Sequence, residues 1–187
     1  GVQTCALPIL SKQTTLSPGY VPQDLQSVPV PVAVRPGIRL RANALAAATE
    51  LIDAAATQGL RIAVVSGYRS YQEQEGLFNG YVQQMGRERA ERISALPGHS
   101  EHQLGTAIDF GSPSNNYQLE ENFAQTPEGR WLAENGVRYG FLLSYPAGKE
   151  PVTGYAYEPW HWRYVGIENA RNVAATGKTL TEYLATR

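Results

Sequence analysis

Three histidines, His99, His102 and His161, are the residues best suited to bind a metal ion, and two of them have a carboxylate nearby. Asp109 follows His102 in the segment HQLGTAID, and Glu158 precedes His161 in the segment EPWH. Two imidazoles and one carboxylate form a typical ligand set for a catalytic zinc ion, whose fourth position is left to water. The sequence therefore predicts one zinc ion per chain, bound by His102, Asp109 and His161.

Asp109 makes this prediction specific, because it lies late in the apolar segment LGTAIDF, which is predicted to form a strand. A buried carboxylate requires a cation, hydrogen bonds or a metal ion. His102 stands just before the strand, and Gly105 between them allows the imidazole to turn back toward Asp109. His99 competes as a ligand, but its use would leave Asp109 unexplained. The alternative without a metal is a surface histidine followed by an aspartate that ends the strand.

Glu158 is predicted to be the general base, the group that takes a proton from the water at the metal. Residues 160–164 alternate aromatic side chains with His161 and Arg163, so a strand there places its aromatic side on the core and its polar side in a cleft. Residues three apart in a straight strand point to opposite faces, but Pro159 bends the chain between Glu158 and His161. The alternative is a polar strand face whose histidine makes ordinary hydrogen bonds.

Arg69 follows a short apolar segment, LRIAVVSG, that is predicted to be a buried strand. A guanidinium at the end of a strand is well suited to bind an anionic group through two parallel hydrogen bonds. Gln74 stands about one helical turn later and is predicted to present its amide to the same ligand. The alternative is that Arg69 bonds backbone carbonyl groups and has a structural role.

The elements that must position these residues follow from hydrophobic spacing and from the places of proline and glycine. We predict an α+β fold with a small, mainly antiparallel sheet flanked by helices. Residues 1–19 are predicted to be a flexible tail that includes Cys5, and residues 20–187 a single domain that begins with extended chain. The predicted helices lie at 42–58, 71–85, 87–95, 126–136 and 167–175, and the predicted strands at 61–66, 104–110, 137–145 and 160–165.

Composition limits the classes of protein to which the chain can belong. It has 187 residues, of which 42% are hydrophobic, and a net charge of −1. This size allows one domain with a substantial core, and the balanced charge argues against a nucleic-acid-binding protein, which requires a basic surface. A single cysteine excludes a disulfide framework and a multi-cysteine zinc site. No apolar run is long enough to span a membrane. We also expect the protein to be a monomer.

Three segments together resemble the zinc D-alanyl-D-alanine carboxypeptidases of the VanY type: SGYRSYQEQ at 66–74, PGHSEHQLGTAIDF at 97–110 and EPWHWRYVG at 158–166. That family shares its fold with the peptidoglycan L,D-carboxypeptidases and, more distantly, with the hedgehog signalling domain. The resemblance extends from Tyr20 to Gly166 and implies that residues 20–187 are a zinc peptidase domain. It further implies a zinc site formed by His102, Asp109 and His161, a catalytic base at Glu158, and a substrate site that includes Arg69, Gln74 and Ser100.

The resemblance implies an enzyme that removes the terminal D-alanine from peptidoglycan stem peptides. We expect it in the bacterial cell envelope or secreted, with its signal or anchor absent from this chain. The nearest alternative is an L,D-carboxypeptidase that trims tetrapeptide stems to tripeptides, because the same catalytic residues serve both reactions. A second alternative is a zinc-containing peptidoglycan-binding module without turnover, which would be expected to have lost Glu158 or Arg69. The motifs leave open whether Arg69 binds the terminal carboxylate or the oxyanion.

Overall fold

The structure is a computed structural model that describes residues 10–186. Helices and strands alternate in a mixed order, which confirms the predicted α+β class. The strands are β1 (Leu25–Ser27), β2 (Arg39–Arg41), β3 (Ala63–Ser66), β4 (Ala107–Gly111), β5 (Phe141–Leu143) and β6 (His161–Tyr164). The helices are α1 (Ala42–Ala56), α2 (Tyr71–Met85), α3 (Arg87–Ile93), α4 (Pro127–Asn135), α5 (Glu150–Thr153), α6 (Ile167–Ala174) and α7 (Leu180–Ala185).

The strands form two sheets, and every strand pairing in them is antiparallel. β1 pairs with β2, and the larger sheet has the strand order β3-β4-β6-β5. The central strands β4 and β6 are therefore covered at both edges by hydrogen-bonded neighbours. This arrangement confirms the predicted small antiparallel sheet and makes its centre the most rigid place available for a site.

The hydrophobic core lies between α1 and the larger sheet. The buried face of α1 consists mainly of alanines together with Leu51, and it belongs to the same apolar cluster as Val64, Ile108, Phe110 and Trp162. Alanine side chains let a helix approach a sheet closely, and a fully buried leucine such as Leu51 contributes about 1.5–3 kcal/mol relative to an exposed one. The core therefore packs against one face of the sheet, and the polar side chains of β4 and β6 project from the other face.

Most predicted elements are present, with boundaries set by local turns. The predicted helix 71–85 is confirmed at both ends, because a capping box between Ser70 and Glu73 begins it. The predicted strand 104–110 begins later, at Ala107, because residues 101–104 form a 3-10 turn. The predicted strand 137–145 is likewise reduced to β5 by a 3-10 turn at 136–139. The pairing of β1 with β2 and the helices α5 and α7 were not predicted.

The described part of the predicted tail, residues 10–19, lies against the domain. Leu10 is buried, the amide of Leu16 donates to the carbonyl of Gly98, and Lys12 donates to the carbonyl of Glu91. These contacts correct the expectation of a flexible tail for residues 10–19. The boundary at residue 20 stays a prediction, and Cys5 lies outside the described residues. Between residues 10 and 186, no helix is long and apolar enough to cross a membrane.

Candidate active site

Strand register brings the predicted site residues onto one line across the sheet. Asp109 in β4 is paired with His161 in β6, and on its other side with Ser66 at the end of β3. The register between β3 and β4 is irregular just before Ser66, where the chain leaves the sheet toward Arg69. Segments that are distant in the sequence therefore meet at one place through ordinary antiparallel pairing.

His102 reaches the same place from a 3-10 turn rather than from a strand. The turn covers residues 101–104 and ends at Gly105, whose φ of 70° is in the left-handed region. A Cβ atom at this glycine would lie 2.9 Å from Cγ of Arg41 and 3.0 Å from Cδ2 of Leu25. Both the backbone angle and the close packing favour glycine here, and the turn directs His102 back over β4 as the sequence predicted.

The three predicted metal ligands meet in a tight group. Nε2 of His102 lies 3.3 Å from Oδ2 of Asp109, and Nδ1 of His161 lies 3.1 Å from Oδ1 of the same carboxylate. One donor atom from each residue lies within 4.8 Å of the others, and all three side chains are buried. Two imidazole nitrogens and a carboxylate at this spacing form a group able to hold a metal ion.

The second nitrogen of each imidazole is already occupied, which fits a metal site. Nδ1 of His102 donates to the carbonyl of Gly67 at 2.7 Å, and Nε2 of His161 donates to Oε2 of Glu101 at 3.0 Å. Metal-binding histidines almost always donate their other N–H to a carbonyl or carboxylate, which fixes the tautomer. These bonds leave Nε2 of His102 and Nδ1 of His161 to face Asp109 and the metal position.

Gly67 can serve His102 only because it has no side chain. A Cβ atom there would lie 2.5 Å from the carbonyl oxygen of Arg39 and 3.0 Å from side-chain atoms of Ile38 and Leu40. The segment after β3 therefore packs directly on the backbone of β2. The carbonyl that orients His102 is fixed by this close packing.

Electrostatics in the group favour a charged Asp109. Burial alone would raise the pKa of Asp109, but hydrogen bonds and charge interactions with His102 and His161 hold it well below its ordinary value. Burial lowers the pKa of His102, and its approach to Asp109 only partly opposes this. Asp109 is therefore ionised and His102 neutral, the forms in which these groups bind metals. Burial alone would lower the pKa of His161, but hydrogen bonds and charge interactions with Asp109 and Glu101 raise it to about 10, so a metal ion would displace a proton from it.

Glu158 lies beside the group because a turn precedes β6. The amide of His161 donates to the carbonyl of Glu158 at 3.1 Å, and Oε2 of Glu158 lies 3.8 Å from Nδ1 of His161. The predicted bend at Pro159 thus brings both side chains to one side. Burial is the main cause that raises the pKa of Glu158 to about 7, and the carboxylates of Asp109 and Glu101 add to it. A carboxyl group with this pKa can take and release a proton near neutral pH.

Arg69 is held in a fixed orientation at the edge of the cleft. Its Nη1 donates to Oε1 of Gln74 at 2.8 Å, and its Nη2 donates to Oγ of Ser66 at 3.3 Å. The backbone amide of Arg69 donates to the carbonyl of His102 at 3.2 Å. These bonds join the arginine to both the end of β3 and the segment that carries a candidate ligand.

Gln74 lies in the cleft wall, but its amide is engaged within the protein. Besides accepting from Arg69, it donates through Nε2 to Oγ of Ser94 at 3.0 Å and to the carbonyl of Ala95 at 2.6 Å. Its side chain is 1% exposed. The observed contacts orient Arg69, so a direct contact between Gln74 and substrate stays a prediction.

The candidate ligands, Glu158 and Arg69 all line one cleft. Ser100 lines it as well, and its Oγ accepts from the amide of His102 at 3.3 Å, which begins the 3-10 turn. Its predicted contact with substrate remains to be tested. The cleft is also lined by aromatic and apolar side chains, among them Leu77, Tyr81, Leu119, Tyr145, Tyr155 and Trp160. The cleft can therefore accept a small peptide with both charged and apolar groups.

His99 lies outside this cleft. Its Nδ1 is 2.8 Å from the carbonyl oxygen of Ser11, and it lines a separate cavity with Lys12 and Leu96. It does not belong to the group that could hold a metal. His99 therefore lies apart from the three candidate ligands.

We expect His99→Ala to keep its bound zinc within about twofold of wild type, because a metal site depends on its ligands and on the groups that orient them. Metal analysis of purified protein, with the free energy of unfolding measured alongside, checks this. A loss of most of the zinc from a folded His99→Ala variant would return His99 to the ligand set.

Sequence reasoning missed the importance of Glu101, and it placed Arg163 incorrectly. Glu101 is buried and accepts hydrogen bonds from His161, Ser144 and Arg163. Arg163 was expected to face the cleft with His161, but it is 2% exposed and donates to Oε1 of Glu101 at 2.9 Å. One signal was available in the sequence. Glu101 stands next to His102 and Arg163 stands two positions after His161, and their opposite charges allow an ion pair between the two ligand segments.

Residues 37–167 match the family model of the VanY D-alanyl-D-alanine carboxypeptidases. This match covers more than half of the chain and includes Arg69, Glu158 and all three candidate ligands. The chain therefore belongs to the VanY D-alanyl-D-alanine carboxypeptidase family, as its motifs predicted.

Individual relatives agree with the family and with the fold. The chain is 41% identical to the protein YodJ of Bacillus subtilis over 180 residues, which cover 95% of this chain and 66% of YodJ. Its structure resembles that of the LD-carboxypeptidase LdcB, with a TM-score of 0.88, 39% identity and coverage of 94% of this chain and 84% of that one. It also resembles a Zn(II) complex of a mutant of the vancomycin resistance D,D-pentapeptidase VanY, with a TM-score of 0.77, 32% identity and coverage of 95% and 97%.

The matched region is only part of the curated relatives. The chain spans between 41% and 66% of the length of five of them. The similarity therefore establishes the family and the fold of this chain.

Proposed function

We propose that this protein is a zinc-dependent carboxypeptidase that removes the terminal D-alanine from peptidoglycan stem peptides. The observation that carries the proposal is the convergence of His102, Asp109 and His161 in a cleft that also contains Glu158 and Arg69. The family's description as a D-alanyl-D-alanine carboxypeptidase supports the reaction, and the Zn(II) complex of a VanY relative supports the metal.

Each residue has a distinct task in this proposal. Nε2 of His102, the carboxylate of Asp109 and Nδ1 of His161 hold the ion. When bound, zinc supplies Lewis acidity toward a substrate carbonyl and lowers the pKa of a water molecule toward about 7. Glu158 accepts a proton from the attacking water at its carboxylate and delivers it to the leaving amine. Burial of the three ligands keeps competing water away from these atoms.

Arg69 binds an anionic group of the substrate in this proposal. A guanidinium carries five N–H donors, and the contacts to Gln74 and Ser66 each use one of them. The fixed orientation given by these contacts suits a terminal carboxylate, the one group that every carboxypeptidase substrate carries. The same donors suit the oxyanion that forms when the carbonyl is attacked.

Arg69→Lys is expected to lower kcat/KM by at least about tenfold, which is about 1.4 kcal/mol of transition-state stabilisation. Lysine keeps the positive charge but lacks the planar pair of donors and cannot bond Gln74 and Ser66 in the same way. Steady-state kinetics on a D-Ala-D-Ala peptide check this, with Arg87→Lys as a matched control, because Arg87 is exposed, pairs with Glu91 on the surface and does not line the cleft. Unchanged kinetics in Arg69→Lys would make Arg69 a structural residue.

A second candidate function is L,D-carboxypeptidase activity, which trims tetrapeptide stems to tripeptides. It is favoured by the higher TM-score and identity to LdcB than to the VanY pentapeptidase. The metal group, Glu158 and Arg69 serve both reactions equally, so the difference lies in the cleft walls that contact the remainder of the stem.

Digestion of defined pentapeptide and tetrapeptide stems, with the products weighed by mass spectrometry, separates the two functions. The main proposal expects the pentapeptide to lose one alanine at least about tenfold faster than the tetrapeptide does, a preference of about 1.4 kcal/mol. The reverse preference would assign the chain to the L,D-carboxypeptidases.

The proposed substrate also implies where the protein works. Peptidoglycan stems lie outside the cytoplasmic membrane, so we place the protein in the cell envelope or outside the cell.

We further propose that the protein acts on stem peptides as a monomer. Size-exclusion chromatography with light scattering at working concentrations tests this oligomeric state. A stable dimer would contradict it.

A further inference from the structure

The geometry points to Glu101 as a positioning residue that fixes His161 in the tautomer and orientation required of a metal ligand. This inference rests on the proposed zinc site, and it concerns a residue to which neither the motifs nor the proposed mechanism gave a role. Glu101 is the residue immediately before His102, yet its carboxylate lies beneath His161, on a different element of the fold.

The carboxylate of Glu101 is held by three hydrogen bonds from three places. Oε2 accepts from Oγ of Ser144 at 2.6 Å and from Nε2 of His161 at 3.0 Å. Oε1 accepts from Nη1 of Arg163 at 2.9 Å. All four residues are at most 5% exposed, so water competes little for these bonds and the carboxylate has little freedom to move.

Strand geometry explains why Arg163 takes part. Arg163 and His161 are two residues apart in β6, so their side chains leave the sheet on the same face. Glu101 spans both, with one oxygen directed to each. The guanidinium of Arg163 lies 2.9 Å from Oε1 and places a positive charge beside the carboxylate. Glu101 can therefore act as a buried carboxylate that accepts hydrogen bonds on both oxygens.

An acceptor at Nε2 determines what Nδ1 of His161 can do. A neutral imidazole carries one proton, and both nitrogens of His161 face a carboxylate: Nδ1 lies 3.1 Å from Asp109 and Nε2 lies 3.0 Å from Glu101. Nδ1 is available to a metal ion only when that proton lies on Nε2, where Glu101 accepts it. Nδ1 then presents its lone pair toward Asp109 and the metal position. Loss of such a partner typically weakens metal binding by about 10–100-fold.

A purely structural role for Glu101 is the competing explanation, since any carboxylate there would compensate the buried charge of Arg163. The two explanations differ when both charges are removed. Replacing a buried ion pair with apolar residues of similar size is often neutral for stability. If Glu101 only compensates the charge of Arg163, the double variant Glu101→Leu/Arg163→Met binds zinc as tightly as wild type does. If Glu101 positions His161, zinc binding stays weak.

The test is the zinc dissociation constant, measured by competition with a chelator on metal-stripped wild type and on three variants. We expect Glu101→Leu/Arg163→Met to bind zinc about 10–100-fold more weakly than wild type. Ser144→Ala leaves the acceptor of His161 in place and is expected to change the constant by less than about threefold. Lys149→Met/Glu182→Leu removes an ion pair whose residues do not line the cleft, and it controls for the loss of a pair as such.

The outcomes separate this inference from the proposed function. Wild-type affinity in a folded Glu101→Leu/Arg163→Met variant would overturn the role of Glu101 while leaving the zinc site intact. A wild-type protein that binds no zinc would overturn both. Should the double variant not fold, nuclear magnetic resonance of ¹⁵N-labelled, zinc-loaded wild type decides. The inference expects the Nε2 proton of His161 to be shifted downfield and slow to exchange, because Glu101 accepts it, and a rapidly exchanging proton contradicts it.

Discussion

Glu158→Gln is expected to keep its zinc and its fold while losing about 10²–10⁴-fold in the rate of terminal amino acid release, the usual effect of removing a general base. The amide has nearly the same shape as the carboxylate but cannot accept a proton from water. The loss is expected at the upper end of this range, because the same group serves both the attack and the departure of the amine. Zinc content and D-alanine release are to be measured on the same sample.

Glu128→Gln is the matched control for this variant. Glu128 is also a buried glutamate, at 6% exposure, but it lies in the first turn of α4 and does not line the cleft. Glu128→Gln makes the same chemical change at a residue outside the proposed active site, so we expect normal turnover. A Glu158→Gln protein with full zinc and near-normal turnover would remove Glu158 from the mechanism.

His161→Ala is expected to lose most of its bound zinc and, with it, all measurable turnover. Loss of a group that only orients a ligand typically weakens metal binding by about 10–100-fold, so loss of a ligand itself is expected to cost at least about 100-fold. The variant also removes the imidazole whose Nδ1 lies 3.1 Å from Oδ1 of Asp109. Metal analysis after dialysis against a weak chelator is the measurement.

Two observations keep the His161→Ala result interpretable. A circular dichroism spectrum like that of wild type would exclude global unfolding as the cause of zinc loss. His99→Ala, treated identically, provides a histidine-to-alanine change that leaves the proposed ligand set intact. Full zinc occupancy in folded His161→Ala would disprove the assignment of His161 as a ligand.

The site could be predicted from sequence where chemistry and local geometry coincide. Asp109 was recognisable because a carboxylate in an apolar strand requires a partner, and the partners proved to be the two predicted histidines. Glu158 was recognisable because Pro159 bends the chain, and the observed turn brings its carboxylate to within 3.8 Å of His161. The inference for Glu158 used neighbouring residues, whereas joining His161 to Asp109, 52 positions away, used the chemistry of a zinc ligand set.

What could not be predicted depends on contacts between distant segments. Glu101 and Arg163 are 62 positions apart, and each alone is typical of a solvated surface residue. The engagement of Gln74 with Ser94 and Ala95 likewise depends on the packing of α2 against the loop after α3. The same reason applies to β1 and β2, whose short strands have little periodicity until they pair.

The central claim is that this chain binds one zinc ion and uses it to release a terminal D-alanine. The most direct measurement is metal content together with D-alanine release from a D-Ala-D-Ala pentapeptide stem, made on the same preparation of wild-type protein before and after chelation. We predict about one zinc per chain, release of one D-alanine per stem, loss of release after chelation and its return when zinc is restored. A protein that binds zinc and stem peptide but releases no terminal amino acid would contradict the claim and would indicate a binding module instead.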